Sequence, residues 1–389
     1  MWISEQSNRP DTSRPPRRNN QPEVTGAAPT RRSPGDPIPI PHTTAASQFL
    51  YGASAVLAAL KAGKRKLYKL YLHQRAARDA DGDSAFQIKR LAEKAGVELV
   101  QVQDDFLRVM DKMADWRPHN GCVLEASPLP KLPVTGLGEV SPGQSTFAVT
   151  VSHQSKEERD INGSNDKISY NSHGWRQPFV LLLDHVVDQG NLGAVMRTAY
   201  FLGVDAVAIS THASASLTPA ATKASAGAAE VVQTFAVEKP NEFVEMSRNN
   251  GWQIFAAEAL EDPNSPKERS AADSQQTPPF VALLKSRRGK VRIMPFRTPL
   301  AEQPCLLMLG GEGEGLTKKL RSLAHYEVGI PSVPGKKDVG VDSLNVSVAG
   351  ALLCMEFLRK PADLKTQALP DTSNDEQEKL FDVSPASAT

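Results

Sequence analysis

Three short stretches carry residue types at spacings that suit a ligand site. The first, DHVVDQGNLGAVMR (184–197), sets Asn191, Gly193 and Arg197 at the start of a helix. Asn191 suits a helix cap, Gly193 permits a close approach, and Arg197, two turns in, offers a fixed charge. A cap, a packing glycine and a solvated arginine would explain the same residues. The second stretch, LMLGGEGEGLT (307–317), runs from an apolar strand into a glycine-rich turn. A phosphate loop requires Lys after its last glycine, but Leu316 stands there. A dinucleotide turn requires GxGxxG, where Gly311, Gly313 and Gly315 give GxGxG. Glu312 and Glu314 would also repel phosphate, so a cationic or hydroxyl-bearing ligand fits better. The third stretch (329–359) ends a strand at Ile330-Pro331 and opens an apolar helix at Ser343-Leu344-Asn345, with Ser343 as the expected N-cap.

These stretches fall at the ends of strands in a recurring α/β pattern. PFVLLLDHV (178–186) is a nearly continuous apolar run, as buried parallel strands are. Further strands are expected at 204–210, 230–237, 252–259, 305–311 and 326–331. Helices are expected at 191–202, 218–228, 241–249, 316–324 and 343–358. The pattern implies a parallel sheet over 177–360 whose ligands bind where strands end. Residues 261–300, with Pro263, Pro266, Pro278 and Pro279 in their first half, interrupt it and read as a surface insertion.

A smaller α/β unit is expected at 47–127. Val56, Leu57 and Leu60 share one helical face that stops at Gly63. Lys61, Lys64, Arg65, Lys66 and Lys69 are bunched beside it, either as a solvated face or as a phosphate-contacting surface. Residues 128–176 read as a linker or insertion.

The 389 residues hold three cysteines, Cys122, Cys305 and Cys354, too far apart for a disulfide framework or a CxxC metal site. No apolar run approaches the roughly 20 residues of a membrane-spanning helix. Neither a metal nor a membrane is therefore expected. Residues 1–46 form an expected disordered tail, whose first 41 residues hold six Arg, four acids and nine prolines. As a mitochondrial address this is weak, because the acids and prolines spoil an amphipathic helix. Residues 361–389, with six acids against two Lys, read as an acidic tail. The stretch between the tails is mildly basic, which permits an anionic partner.

Together the three stretches resemble the motifs of the SpoU, or TrmH-type, branch of the SPOUT methyltransferases. The likeness lies in Asn191-Leu-Gly193 with Arg197, in Gly310-Gly311-Glu312-Gly313-Glu314-Gly315, and in Ile330-Pro331 followed by Ser343-Leu344-Asn345. Ser225-Ala-Gly227-Ala is also similar to a segment of that family, and the resemblance covers about 178–359. The unit at 47–127 is similar to the substrate-binding domain, related to ribosomal protein L30, that precedes the catalytic domain in several members. Tyr51-Gly52 and RPHNGCVLEA (117–126) carry that likeness, while Asn120 and Cys122 depart from the commoner pattern. The whole chain looks most like the fungal mitochondrial members that methylate a guanosine ribose in large-subunit ribosomal RNA.

The resemblance implies a trefoil-knotted α/β domain, a homodimer, and transfer of methyl from S-adenosyl-L-methionine to a ribose 2′-hydroxyl of large-subunit ribosomal RNA in the mitochondrial matrix. It implies a cofactor pocket of backbone groups at Gly310, Gly311, Ile330 and Leu344. It also implies a catalytic set of Asn191, Arg197, Glu312, Ser343 and Asn345. Guanidinium has no free acceptor and stays charged, so Arg197 is read as a fixed cation for the target phosphate and the developing alkoxide rather than as a base. Ser343 and Asn345 would orient the ribose, and Arg197 would complete the partner's site. Two other readings stay open: a transfer-RNA substrate within the same chemistry, and a non-catalytic RNA-binding assembly factor. A nucleotide-dependent α/β enzyme is disfavoured by the glycine spacing and by the two glutamates.

Overall fold

The computed structural model describes residues 39–74, 83–259, 282–287, 290–295, 298–331, 341 and 343–362. Residues 1–38 of the expected 1–46 tail, residues 363–389 of the acidic tail, most of the 261–300 insertion and the glycine-bearing loop at 332–340 lie outside the described residues. Residues 39–46 are ordered instead, the Thr43 hydroxyl donating to Glu125 Oε2 at 2.7 Å. The described residues from Ile40 onward belong to one compact unit.

The amino-terminal part is a four-stranded sheet. Its elements are β1 (Gln48–Tyr51), α1 (Ala53–Ala62), β2 (Leu67–His73), α2 (Asp83–Lys94), β3 (Glu98–Val102), α3 (Leu107–Met113) and β4 (Cys122–Ala126), with strand order β1-β4-β2-β3. Gly63 ends α1 in the left-handed conformation and donates its N–H to the Ala59 carbonyl, the stop its sequence position suggested. Val56, Ala59 and Leu60 are buried against Leu70 and Leu124 of the sheet.

The stretch expected to be a linker is instead built into the second sheet. It contains β5 (Leu132–Ser141), β6 (Thr146–Val151), α4 (Lys156–Asn162) and β7 (Lys167–Ser169). Leu132, Val134, Leu137, Phe147, Val149 and Ile168 are all core residues, and Ser155 and Glu158 form a capping box on α4. Apolar burial on this scale turns a connection into part of the domain.

The remaining elements are β8 (Phe179–Leu183), α5 (Gln189–Leu202), β9 (Ala206–Ser210), α6 (Pro219–Ala224), β10 (Thr234–Val237), α7 (Pro240–Asn249), β11 (Gln253–Ala257), β12 (Ala282–Arg287), β13 (Lys290–Pro295), β14 (Cys305–Leu309), α8 (Lys318–Leu323), β15 (Tyr326–Gly329) and α9 (Val346–Phe357). Among the described residues the large sheet runs β13-β12-β15-β11-β14-β8-β9-β10-β5-β6-β7. The pairs from β15 to β5 are all parallel, and antiparallel partners close both edges. The segment read as an insertion thus contributes an edge hairpin, β12–β13.

Both faces of the central strands are covered, which is why they read as continuous apolar runs. Phe179, Leu181, Leu183, Leu307 and Leu309 face α5 and α9. Val180, Leu182, Leu306 and Met308 face the opposite layer with Phe243 of α7 and Leu320 of α8. Phe357 of α9 stacks on Phe179 at 4.9 Å and meets Phe255 edge-on at 5.0 Å, pinning the last helix.

Candidate functional site

The chain order reverses at β8, with β9 on one side and β14 on the other, and open parallel sheets hold ligands at such a switch point. The two strand ends are level, since the Asp184 amide donates to the Leu309 carbonyl at 3.0 Å. Past β8 the chain turns into α5, and past β14 it enters the glycine-rich turn.

Asp188, rather than Asn191, caps α5, its Oδ1 accepting the Asn191 amide at 2.7 Å. The Asn191 carboxamide is thereby released for another contact, and its Nδ2 donates to Oε1 of Glu312 in the glycine-rich turn. Asn345 joins the same point from α9: its Nδ2 donates to Glu312 Oε1 at 2.8 Å and to Asn191 Oδ1 at 3.1 Å. Asn345 is also the N-cap of α9, with its Oδ1 accepting from the Ser347 amide at 3.0 Å and from the Ser347 hydroxyl at 2.6 Å. Ser343, expected to cap, lies two residues earlier on the exposed approach to the helix. One residue from each of the three motifs therefore meets at a single carboxylate oxygen.

The turn itself is tightly folded. A Cβ on Gly310 would lie 2.3 Å from the Gly315 carbonyl carbon, and one on Gly311 would lie 2.2 Å from the His185 carbonyl oxygen. Gly315 has a positive φ of 66°. These glycines are required by the turn closing on itself and on the end of β8, so any ligand contact they make is through backbone groups. Gly313 faces open space. Ile330 follows β15 and packs partly on the core, and Leu344 is exposed.

Arg197 is exposed on α5 and stands apart from the Asn191–Glu312–Asn345 joint, with no hydrogen bond or ion pair among the described residues. Six residues beyond Asn191, it lies about 120° around the helix. Gly193 is a packing glycine: its Cβ would meet Ala224 Cβ at 2.5 Å and the Ala221 carbonyl at 2.7 Å on α6.

Two features escaped the sequence reading. Asp184, 2% exposed, holds Nδ1 of His185 at 2.9 Å, and His185 has a φ of 59° against the glycine-rich turn. Ser225-Ala-Gly227-Ala, noted as a motif, turns out to be a joint: Gly227 has a φ of 89° and a Cβ there would reach Ala58 of α1 at 2.4 Å.

Residues 178–355 match the SpoU rRNA Methylase family, and residues 49–132 match the RNA 2′-O ribose methyltransferase substrate-binding domain. A protein of Schizosaccharomyces pombe named rRNA methyltransferase 1, mitochondrial, is 30% identical over 311 residues, covering 79% of this chain and 88% of its own. The chain belongs to the SpoU family. The human protein of the same name is 29% identical over 314 residues, covering 80% of this chain and 72% of its own. A solved structure, an AdoMet-bound rRNA methyltransferase from Sinorhizobium meliloti, aligns with a TM-score of 0.49 at 17% identity, over 80% of this chain and 87% of that one. The SpoU match makes this chain an RNA methyltransferase, and all three residues of the joint fall inside the matched catalytic range.

Proposed function

We propose that this chain transfers a methyl group from S-adenosyl-L-methionine to the ribose 2′-hydroxyl of a guanosine in mitochondrial large-subunit ribosomal RNA, as a homodimer in the matrix. The observation that carries this reading is the joint of Asn191, Glu312 and Asn345 at the switch point. It combines one carboxylate with two carboxamides and has no basic side chain within it. Such a set suits a sulfonium-bearing donor with hydroxyls and opposes a phosphate. The names of the relatives support the ribosomal and mitochondrial parts of the reading.

S-adenosyl-L-methionine supplies an electrophilic methyl group when bound. Backbone groups of Gly310, Gly311, Ile330 and Leu344 hold it, and Gly313 leaves room beside them. The protein's work is to keep the ribose oxygen in line at about 3 Å, an alignment worth roughly 7–11 kcal/mol. Ser343 and Asn345 orient the ribose. Arg197 fixes the target phosphate and steadies negative charge growing on the 2′-oxygen. The absence of any Arg197 contact with its own subunit's joint, among the described residues, supports its acting in the partner's site. Exposed Tyr200 and Phe201 on α5, and Val348 and Met355 on α9, support pairing through these helices. The return of the chain from β15, beyond β11, to α9 beside α5 supports the trefoil path.

The test is to incubate the full chain with methyl-labelled S-adenosyl-L-methionine and transcripts of mitochondrial large-subunit ribosomal RNA or of transfer RNA, then digest to nucleosides. Label recovered in 2′-O-methylguanosine from the ribosomal transcript is expected. Label only in transfer RNA, or in a base, would overturn the assignment.

A further inference from the structure

The boundary between the amino-terminal sheet and the catalytic part holds a second cluster that the methyl-transfer site does not use. Residues 114–121, between α3 and β4, form a strap with three non-glycine residues in the left-handed region: Asp115 (φ 50°), Trp116 (φ 59°) and Asn120 (φ 54°). A tryptophan there is rare and strained. The strap is nonetheless tightly tied. The Trp116 amide donates to the Asp111 carbonyl at 2.7 Å, and the Arg117 amide donates to Ala114 at 3.0 Å. Buried His119 accepts the Gly121 amide on Nδ1 at 3.0 Å, which leaves Nε2–H to donate to Asp111 at 3.2 Å. The result is a fixed platform on which Trp116 is 64% exposed.

Arg117 follows Trp116, and across the boundary stands Lys223 of α6. The Lys223 ammonium sits 5.1 Å from the centre of the Tyr51 ring, and its Cε would be 3.6 Å from a Cβ on Gly52. Neither Arg117 nor Lys223 forms an ion pair among the described residues. Burial, with the Arg117 charge adding to it, pushes the Lys223 amine below its ordinary pKa. Burial pushes the Tyr51 hydroxyl above its ordinary pKa; Arg117 opposes this by its charge and a hydrogen bond, and Asp115 adds to it. Tyr51 is 1% exposed, so the charges converge on a buried ring.

We propose that Trp116, Arg117 and Lys223 form a nucleotide subsite across the two parts of the chain, Trp116 stacking an unpaired RNA base while Arg117 and Lys223 share the adjoining phosphate. An exposed rigid indole beside paired cations is the arrangement that holds single-stranded nucleic acid, since every base has a stackable face and every linkage a charge. A phosphate relieves the repulsion between the two cations, and a purely apolar protein partner would not. The subsite rests on the RNA reading above but is separable from the methyl-transfer joint, with which it shares no residue.

The test uses the full chain and a fluorescein-labelled single-stranded RNA 20-mer of mixed sequence. Trp116→Ala is expected to weaken binding roughly tenfold while Trp116→Phe retains most of it. The double variant Arg117→Gln/Lys223→Gln should lower the slope of log affinity against log salt by roughly one. S-adenosyl-L-methionine affinity by calorimetry and thermal melting should stay at wild-type values. Unchanged RNA affinity and salt slope in these variants would overturn the subsite, whether or not wild type methylates RNA, and would leave the strap as a protein-docking surface. RNA binding through these residues by a chain that transfers no methyl would sink the proposed function and leave the subsite standing.

Discussion

Arg65 of the amino-terminal sheet and Glu230 of the catalytic part form a forked ion pair with neither side chain exposed. Nε donates to Oε1 at 3.0 Å and to Oε2 at 2.9 Å, and Nη2 donates to Oε1 at 2.7 Å. Nη1 is satisfied by the Ser127 carbonyl at 2.8 Å. Removing one partner strands the other in a dry interior, so Arg65→Ala should cost about 3–5 kcal/mol. The apolar pair Arg65→Met/Glu230→Leu should be better tolerated than either single change. Chemical denaturation reads both, and a double variant as unstable as the worse single one would show that the pair's worth is not electrostatic.

Asn345 links three motifs and caps α9 with one side chain. Asn345→Ala should lower turnover on the order of 10²-fold through lost alignment and cost about 1 kcal/mol through the lost cap. Asn345→Asp would restore the cap while placing a second carboxylate on Glu312. It should melt near wild type at neutral pH yet remain inactive. Recovery of activity in that variant would mean that only the cap matters.

Gly311→Ala pushes a methyl into the His185 carbonyl oxygen, which is backbone and has nowhere to move. The glycine-rich turn should shift, weakening S-adenosyl-L-methionine at least tenfold by calorimetry. At Gly313, where nothing lies within 4 Å, alanine should be tolerated by the fold. Equal cofactor affinity in the two variants would contradict this division of labour.

Arg197 is read as a fixed charge acting across a dimer. Arg197→Ala should lose on the order of 10²–10³ in turnover, with Arg197→Lys keeping part of it and cofactor affinity unmoved in both. Mixing the Arg197→Ala and Asn345→Ala chains should restore one working site per dimer. No recovery in the mixture would place the arginine in its own subunit's site.

Burial pushes the Cys122 and Cys354 thiols up from 9.0 to about 12. Below that the native thiols hold their protons, whereas in the unfolded chain they ionise above about 9. The unfolded state therefore binds fewer protons between those values, and stability should fall as pH rises through that window, by up to about 1.4 kcal/mol per unit for each thiol. Iodoacetamide at pH 9 should label these cysteines only after denaturation. Rapid labelling of the folded chain would refute their burial.

The central strands were legible because they are covered on both faces: PFVLLLDHV could hardly be anything but a buried strand. β5 was not, because LPVTGLGEVS carries one proline, two glycines and two breaks in register. The glycines are there for packing. A Cβ on Gly136 would meet Met246 Sδ of α7 at 2.5 Å, and one on Gly138 would meet Ala148 at 2.9 Å. The motif residues were legible one by one, but their meeting was not, since it depends on β14 pairing with β8 across more than a hundred intervening residues. Asp188 and Asn191 are both good cap types three residues apart, as are Ser343 and Asn345 two apart. Composition alone could not choose between them.

The sealed Arg65–Glu230 contact, with Lys64 Nζ donating to the Val231 carbonyl at 3.0 Å beside it, also bears on the thermodynamics of RNA capture. A reader swinging on a tether would have to surrender that freedom each time it engaged a substrate. Here the ordering is completed during folding, before any RNA arrives, so less entropy opposes the encounter. Under the proposed subsite and function, an RNA that does not already present its base and its target ribose at the set separation must itself bend to do so. Selection among transcripts then falls on how readily each one deforms.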